Sequence, residues 1–327
     1  MKFPKAVATF VLIAGRASIS AAPAWAWGCD GHQTIALVAE KHLTPNAKAM
    51  VLELLNNNPV DPTLDRYCKD QGPDAMTNAA TWADDERSRD PSTSGWHFLD
   101  LPRGATRTDI SKYCPLPDSC VTEAIRDQLA ILKDSSKPAA DRANALRFII
   151  HFVGDLHQPL HSTTNNDRGA NCIPVGYFGT KPHVTNETTE SYRPNLHGTW
   201  DTNIIGTDMT NRQFTSVEPY ADYLDKKFHS KVNGWLNGAM DLDGWAWSSH
   251  QAAERISYGK LPAKVPVEQP ITPPITSCAD DNHVSQRMLA LNIDFGQAYV
   301  KSAAKEIEQR LEMAGVRLAM ILNQLAP

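Results

Sequence analysis

One stretch of the sequence, residues 146–161, combines the pattern of a buried helix with a cluster of histidines. Apolar side chains recur along it at positions i, i+3, i+4 and i+7, which are Leu146, Ile149, Ile150 and Val153. This spacing predicts one apolar helical face. His151 and Asp155 are four residues apart, so a helix brings them one turn apart on a common face. Pro159 predicts the end of the helix, with the last residues in an exit turn.

The polar side chains of this stretch and of a second His-x-x-x-Asp pair have the chemistry of zinc ligands. The candidates are His151, Asp155, His161, His197 and Asp201. A lone histidine on an apolar helix is more often a core residue satisfied by hydrogen bonds than a ligand. Two His-x-x-x-Asp pairs are harder to explain in that way, because each buried imidazole and carboxylate would need its own partner. The sequence therefore predicts one polynuclear metal site, with His157 in an orienting role behind the ligands.

The first 26 residues have the features of an export signal. Two lysines precede an apolar run at residues 6–14, and an A-x-A cleavage motif ends at Ala26. The apolar run is too short to span a bilayer, and no later stretch is long enough to do so. We therefore expect residues 1–26 to be a signal peptide. The mature protein, residues 27–327, would be exported, either periplasmic or secreted, and would have no transmembrane segment.

Removal of this segment would make Trp27 the first residue. A free α-amine has an ordinary pKa of about 8, well below that of lysine, so its neutral form is readily available to a metal ion. His32 follows five residues later. The new N-terminus is therefore a candidate metal ligand together with His32.

Charge and cysteine content restrict the function classes. The whole chain has a formal net charge of −5, and the loss of three cations and no acids with the signal segment would make it −8. This balance argues against a basic groove for nucleic acid, although bound zinc would reverse the sign locally. Six cysteines in an exported chain predict disulfides, with Cys114 and Cys120 as a local pair. The pairing of the other four stays open.

Helical patterns account for most of the remaining sequence. The predicted helices span residues 33–55 with a break at Thr44-Pro45, 122–132, 139–156, 217–236, 245–258 and 283–325, the last interrupted near Gly296 and Gly315. Residues 162–194 and the proline-rich residues 261–277 are long loops. No period-2 run is strong enough for a sheet, and there is no phosphate-cradling glycine loop. The sequence predicts a mainly α fold. It also predicts that the side chain of His42, near the end of the first helix, is solvated.

Two further motifs contain polar side chains that could belong to the metal site. Asp84 and Arg87 are three residues apart on a predicted short helix, although an exposed ion pair would explain them equally well. His97 lies in a predicted extended run, with Phe98 and Asp100 on the face opposite to it. An aromatic ring beside a ligand suits stacking of a planar group, whereas an isolated phenylalanine is usually part of a core.

Taken in order, these motifs resemble those of the S1/P1 nuclease family, exported zinc-dependent nucleases that cut single-stranded nucleic acid. The resemblance covers nearly all of residues 27–327. It runs through an N-terminal Trp-Gly with a histidine close behind, Trp-Ala-Asp, His-Phe, His-x-x-x-Asp-x-His-Gln-Pro-Leu-His, Asn-Leu-His-x-x-Trp-Asp and residues 314–319. It implies a single compact helical domain of the phospholipase C and P1 nuclease type, with long loops.

The resemblance implies three zinc ions and gives each matching residue a role. One zinc would be held by Asp84, His97, His151 and Asp155. Asp155 would bridge to a second zinc, held also by His32 and by the amine and carbonyl of Trp27. The third zinc would be held by His161, His197 and Asp201. Coordination positions would remain open for water and substrate, as a catalytic zinc requires.

The resemblance also implies the reaction. A water between the paired zincs would have its pKa lowered to about 7 and would attack phosphorus. Asp84 and Arg87 would be the catalytic residues, with the guanidinium stabilising the phosphoryl oxygens. Phe98 would stack a base, which favours single strands, Asp100 would bond its edge, and Asn171 would contact substrate. The substrates would be single-stranded DNA and RNA and 3′-mononucleotides, the products would carry 5′-phosphates, and the protein would be a monomer.

Two other functions are compatible with parts of the pattern. A zinc phospholipase C has a similar fold and trinuclear site, but Asp84 with Arg87, and Phe98 with Asp100, favour the nuclease. A non-catalytic exported zinc-binding protein would close every coordination position, whereas three ions shared among nine ligand residues leave positions open. The sequence departs from the family at Ala170, where a second glycine is usual, and in its long loops. These departures bear on strand and base preference, not on the ligands.

Overall fold

The structure is a computed structural model that describes residues 27–69, 71–114 and 120–326, the side chains of residues 281 and 282 aside. The predicted signal peptide lies outside the described residues. The helices are α1 (Cys29–His42), α2 (Pro45–Asn57), α3 (Ala75–Ala80), α4 (Trp82–Arg89), α5 (Ile110–Tyr113), α6 (Val121–Lys133), α7 (Ala139–His157), α8 (Leu196–Gly198), α9 (Ile204–Asn211), α10 (Val217–Leu236), α11 (Leu242–Ala252), α12 (Asp280–Leu289) and α13 (Gln297–Leu325). Segments of 3₁₀ helix lie at Pro91–His97, Arg107–Asp109 and Pro159–Ser162, and π-helical turns at Thr199–Asn203 and Ala253–Ser257. The predicted mainly α fold is confirmed.

Helix α7 lies within the core. Every residue from Ala145 to His157 is buried, and the helix packs against α6, α13, α3 and α11. It ends at His157, just before Pro159, as the sequence predicts. Because its polar side chains have no access to bulk water, each of them needs a partner inside the protein.

Helix α1 packs against α13 and α10, and Gly315 allows the close approach of α1 and α13. A Cβ atom on Gly315 would lie 2.5 Å from the Cβ of Val38 and 2.8 Å from the carbonyl oxygen of Ile35. Helix α13 continues through this position, so the predicted interruption near Gly315 is wrong. The glycine permits packing between two helices and does not end one. The predicted break near Gly296 is correct, since Gly296 directly precedes α13.

The break between α1 and α2 follows the prediction. Pro45 is the first residue of α2, and the hydroxyl of Thr44 accepts a hydrogen bond from the Ala47 amide at 3.2 Å. Proline at the first helical position and a threonine cap are the expected start of a helix.

Short strands interrupt the long loops. They are β1 (Gly176–Tyr177), β2 (His183–Asn186), β3 (Ser191–Arg193) and β4 (Asp294–Phe295). Strand β1 pairs in parallel with β4, and β2 pairs antiparallel with β3. The prediction of no sheet is wrong to this extent, because strands of two to four residues are too short to give an alternating pattern.

All six cysteines take part in disulfides. Three disulfides join Cys29 to Cys68, Cys114 to Cys120 and Cys172 to Cys278. The predicted local pair is thereby confirmed, and the first disulfide secures the start of α1. Within the described ranges, no helix combines the length and apolar character needed to cross a membrane.

Candidate metal centre

Helices from distant parts of the chain bring the predicted ligands into one buried cluster. Helix α7 carries His151 and Asp155, α4 carries Asp84 and α1 carries His32, while His97 ends the 3₁₀ segment that follows α4. None of these five residues is more than 6% exposed. The single turn between His151 and Asp155 is the spacing that the sequence predicts.

The backbone before His97 differs from the prediction. The sequence predicts an extended run from Gly95, but a 3₁₀ segment capped by the Asp90 side chain continues as far as His97. The backbone is extended only from Phe98 onward. The predicted alternation holds from that point, because His97 and Leu99 are buried whereas Phe98 is 37% exposed.

Asp155 lies between two groups of ligand atoms. Its Oδ2 atom is 3.0 Å from His97 Nδ1 and 3.2 Å from His151 Nε2. Its other oxygen, Oδ1, is 3.4 Å from His32 Nε2. The carboxylate of Asp84 approaches both His97 Nδ1 and His151 Nε2 to 3.8 Å. One carboxylate thus offers an oxygen to each of two groups, which is the arrangement of a bridging ligand.

A third group lies around the second His-x-x-x-Asp pair. The Nε2 atoms of His161 and His197 are 3.1 Å apart, and His197 Nε2 is 3.2 Å from Asp201 Oδ2. The three side chains are buried, and their ligand atoms all lie within 4.8 Å of one another. They form a third place where an ion could bind.

Backbone carbonyls orient three of the imidazoles. The contacts are His151 Nδ1 to Ala80 O at 2.7 Å, His161 Nδ1 to His97 O at 2.8 Å and His197 Nδ1 to Gly169 O at 2.6 Å. A carbonyl oxygen only accepts hydrogen bonds, so each Nδ1 carries the hydrogen and donates it. The lone pair of each Nε2 then faces the cluster, as metal-binding histidines require.

The clusters contain buried polar atoms that have no hydrogen-bond partner. They are both ring nitrogens of His32, Asp84 Oδ1, His97 Nε2, His151 Nε2 and Asp155 Oδ1. Buried polar atoms are nearly always paired, and unpaired ones need an explanation. Of these atoms, His32 Nε2 and His151 Nε2 lie close to the carboxylates of Asp155 and Asp84, and together they form a donor set that fits zinc.

Electrostatics at the centre also favour a cation. Burial lowers the pKa of His32 and His97 to about 4, so both imidazoles are neutral at pH 7, the form that binds metals. Burial acts in the same direction on His151, but the carboxylates of Asp155 and Asp84 outweigh it and raise the pKa to about 9. The cluster therefore favours a positive charge beside Asp155, which a proton or a metal ion could supply.

The third group, which contains His161, His197 and Asp201, also favours a nearby positive charge. Burial, reinforced by the carboxylates of Asp155 and Asp84, raises the pKa of Asp201 well above its ordinary value. The side-chain amide of Gln158 opposes this shift by donating a hydrogen bond to Asp201 Oδ1 at 2.6 Å. Asp201 also needs a nearby cation to remain ionised.

Arg87 forms an ion pair with Asp84 of the candidate metal centre. Its Nη2 atom is 3.2 Å from Asp84 Oδ1, and both side chains are less than 10% exposed. The sequence alternative of an exposed ion pair is therefore wrong, because this ion pair is buried. After burial, the charge of Arg87 is the largest cause of the low pKa of His97. The guanidinium thus acts directly on the cluster.

A cleft of about 190 Å³ begins at the residue after His97. Its polar and aromatic lining includes Phe98, Asp100, Tyr113, Thr164, Asn166 and Arg168. Burial and the carboxylate of Asp167 raise the pKa of Asp100 to about 6, against the opposing charge of Arg168. The cleft thus combines an accessible aromatic face with a carboxyl group and a guanidinium.

Two predicted residues have other contacts. The side-chain amide of Asn171 donates to the Arg168 carbonyl at 2.8 Å, and the cleft lining includes Asn166 in place of Asn171. His157 Nδ1 donates to Val153 O at 2.7 Å, and its Nε2 lies 2.8 Å from Arg317 Nη1, which can only donate. The orienting role predicted for His157 is wrong, because both of its nitrogens bond to groups outside the clusters.

Two glycines that support the centre were missed in the sequence. A Cβ atom on Gly154 would lie 3.0 Å from His32 Nδ1. Gly169, with φ +60°, places its carbonyl on His197, and a Cβ there would lie 2.6 Å from the Leu160 carbonyl oxygen. An isolated glycine inside an apolar helix is the signal that could have identified Gly154.

Trp27 is anchored beside the centre. Its side chain is fully buried, and the indole nitrogen donates to the Gly154 carbonyl at 2.9 Å. The amide of the next residue, Gly28, donates to the Asp201 carbonyl at 2.8 Å. The first described residue is therefore held between α7 and the third group.

The fold and the site together define a mainly helical protein with buried clusters of carboxylates and imidazoles that could hold metal ions. The chain belongs to the S1/P1 nuclease family, because the family model described as S1/P1 Nuclease matches residues 27–327. It is therefore a nuclease, a hydrolase that acts on the ester bonds of nucleic acids. The resemblance drawn from the motifs is confirmed.

Individual nucleases are similar to this chain at modest sequence identity. Nuclease S1 of Aspergillus oryzae is 29% identical over 244 residues, which cover 72% of this chain and 75% of that protein. Nuclease P1 of Penicillium citrinum is 28% identical over 222 residues, with coverages of 65% and 72%. Endonuclease 2 of Arabidopsis thaliana is 29% identical over 307 residues, with coverages of 91% and 90%.

Proposed function

We propose that this nuclease is an exported trinuclear zinc enzyme. It would cleave single-stranded DNA and RNA to products with 5′-phosphates and would also remove phosphate from 3′-mononucleotides. The observation that carries the proposal is the position of Asp155, whose two oxygens face two different groups of imidazoles. A carboxylate placed in this way suits two ions held side by side.

Each zinc would have its own ligand set. The first set is Asp84, His97, His151 and Asp155; the second is Asp155, His32 and the amine and carbonyl of Trp27; the third is His161, His197 and Asp201. When bound, the zinc ions would neutralise the phosphodiester and lower the pKa of water to about 7, so that hydroxide is available at neutral pH. The oriented Nε2 atoms and the unpaired buried atoms support these assignments.

Arg87 and Asp84 would act as one unit beside the scissile phosphate. The carboxylate of Asp84 holds the guanidinium in place at 3.2 Å, so part of the entropy of positioning is lost before substrate binds. The N–H groups of Arg87 would donate to the phosphoryl oxygens and stabilise the charge that develops on them. Because the pair is buried, this stabilisation would be stronger than in water.

The cleft beside His97 would hold a base. The exposed ring of Phe98 offers a stacking face, and stacking accepts any base that is free of a duplex. The carboxyl group of Asp100 would accept a hydrogen bond from the base edge, while Arg168 would attract the phosphate backbone. Asn171, whose side-chain amide donates to the Arg168 carbonyl, remains a proposed substrate contact.

Export would complete the metal site. Cleavage after Ala26 would free the amine of Trp27 next to the second ligand group, and three disulfides fit an oxidising compartment outside the cytoplasm. Residues 27–327 would form one nuclease domain that acts as a monomer.

The test is hydrolysis by the mature protein, which begins at Trp27, with zinc and after removal of zinc by a chelator. Single-stranded DNA, RNA, a 3′-mononucleotide and phosphatidylcholine are offered side by side. The proposal expects zinc-dependent cleavage of the first three, with 5′-phosphate ends on the nucleic-acid products and inorganic phosphate released from the mononucleotide. Cleavage of phosphatidylcholine alone would replace the proposal by a phospholipase, and zinc binding without any hydrolysis would replace it by a metal-binding role.

A further inference from the structure

A second cluster of ligand-type side chains lies at the far end of α1. His42 is the last residue of α1, Asp225 lies on α10 and Glu312 lies on α13. One ligand atom from each side chain lies within 4.8 Å of the others, and His42 Nε2 is 2.9 Å from Asp225 Oδ1. His32 and His42 are ten residues apart on one helix, so this cluster is roughly 15 Å from the candidate metal centre.

Glu312 is the residue that needs an explanation. Its side chain is 0% exposed, and neither carboxylate oxygen has a hydrogen-bond partner. Burial and the facing carboxylate of Asp225 raise the pKa of Glu312 to about 8. The amine of Lys41, which opposes this shift, bonds to Asp222 instead. An ionised carboxylate next to a second acid and without a bonded cation is unfavourable, so Glu312 is mainly the neutral acid at pH 7 unless a cation binds beside it.

The cluster has the same features as the candidate metal centre. In both places a buried carboxylate oxygen without a partner faces an imidazole and a second carboxylate. The nitrogen-to-oxygen distance of 2.9 Å at His42 is close to the distances of 3.0 to 3.4 Å around Asp155. The sequence predicts that His42 is solvated, but its side chain is only 15% exposed and takes part in this cluster.

We infer that His42, Asp225 and Glu312 form an additional binding site for a divalent transition-metal ion. One imidazole and two carboxylates suit zinc, with a fourth position open to water because His42 and Asp225 are partly exposed. The ion would neutralise Glu312 and connect α1, α10 and α13 where they meet. Its role would be to stabilise this packing, since no part of the candidate nuclease site is within reach.

Zinc titration of the mature protein tests the site. Wild type and Glu312→Gln are dialysed to constant zinc content and then titrated with zinc chloride, with bound metal measured by mass spectrometry of the acidified protein. The expected result is one more bound zinc in wild type than in Glu312→Gln. The thermal midpoint of wild type, and not of the variant, should rise by roughly 5 °C at zinc concentrations far above the dissociation constant.

Two further variants keep the test decisive. His42→Ala removes the imidazole at a partly exposed position and should also lose one zinc, even if Glu312→Gln folds poorly. Asp222→Asn removes a carboxylate one turn away that bonds to Lys41 and is 67% exposed, so it should keep the extra zinc. Equal zinc content in wild type, Glu312→Gln and His42→Ala would overturn the inference. Nuclease activity in the same samples should stay at the wild-type rate, which separates this outcome from a failure of the proposed function.

Discussion

The Nε2 atom of His32 and the Oδ1 atom of Asp155 lie 3.4 Å apart, both fully enclosed and neither with a hydrogen-bond partner. The other oxygen of Asp155 is already engaged by His97 and His151 on the opposite side. Buried polar atoms without a partner need an explanation, and an ion bound by both atoms would provide one. A bridging role for Asp155 between two metal ions accounts for both sides at once.

Asp155→Asn tests the bridge. Asparagine is neutral and keeps only one oxygen that can bind a metal, so it cannot bridge two ions; the variant should lose two of three zincs and its activity should fall by roughly 100-fold or more. Zinc content and hydrolysis of single-stranded DNA are measured together, with circular dichroism as the check on folding. Asp141→Asn, at the exposed start of α7, is the matched control and should keep both properties. Near-normal turnover of Asp155→Asn would contradict the bridging role.

Gly154→Ala tests the space that α7 leaves for His32. The added Cβ would lie 3.0 Å from His32 Nδ1 and 3.1 Å from Ile35 Cδ1, so the ring must shift by a few tenths of an ångström. We expect loss of zinc from the second ligand set and roughly a tenfold fall in kcat, since small misplacements are costly at a reacting centre. Gly206→Ala, in α9 with open space around it, is the control. Unchanged kcat in Gly154→Ala would show that this contact has no importance.

Gly169→Ala tests the support of the third group. Gly169 has φ +60°, and a Cβ would meet the Leu160 carbonyl oxygen at 2.6 Å. The left-handed backbone alone should reduce the free energy of unfolding by about 1–2 kcal/mol, and His197 should lose its carbonyl acceptor and one zinc. Urea unfolding and metal analysis measure the two effects.

Ala170→Gly provides the comparison for that experiment. Ala170 already adopts φ +69°, so glycine relieves backbone strain there but also removes a buried methyl group and adds freedom to the unfolded chain. These effects oppose each other, and the free energy of unfolding should change by less than about 1 kcal/mol. A large loss of unfolding free energy in Ala170→Gly and none in Gly169→Ala would contradict the requirement for glycine at position 169.

An extra residue before Trp27 tests ligation by the N-terminal amine. The free amine would then belong to the added residue, one position before Trp27. The indole of Trp27 would still donate to the Gly154 carbonyl. We expect loss of one zinc and of nearly all activity, with an unchanged circular dichroism spectrum. Mature protein that begins at Trp27 and carries the same extra residue at its C-terminus is the control. Full activity with the N-terminal addition would refute amine ligation.

The pKa of Asp100 predicts a pH dependence of substrate binding. Because this pKa is raised to about 6, the side chain is a neutral acid below pH 6 and a carboxylate above it. If the carboxylate accepts from the base edge, KM for single-stranded DNA should fall as the pH rises from 5 to 7. Asp100→Asn should lose this step while kcat changes little. A step of equal size in Asp100→Asn would assign the titration to another group.

Much of the central helix could be predicted from the sequence, because its apolar spacing and its proline stop are local signals. The spacing of His151 and Asp155 likewise needs only helical geometry. The meeting of His32, Asp84 and His97 around them could not be derived from spacing, since it depends on how four elements pack, and it came from the family resemblance. The assignment of ligands to individual zinc ions likewise came from the family resemblance and could not be derived from spacing.

Other features differ from the prediction. The 3₁₀ segment that ends at His97 begins at Pro91 and is capped by the side chain of Asp90, a local start signal that the predicted extended run does not include. Gly315 was interpreted as a break because the position of α1 against it is not visible in the sequence. For the same reason Glu312 passed unnoticed, since a glutamate in a long helix is ordinary until the neighbouring helices enclose it.

Anomalous diffraction at the zinc edge from crystals of the mature protein tests the central claim most directly. The account predicts two zinc peaks, one on each side of Asp155, and a third peak among His161, His197 and Asp201. A single peak beside Asp155, or peaks that leave Asp155 without a contact, would contradict the bridged trinuclear centre.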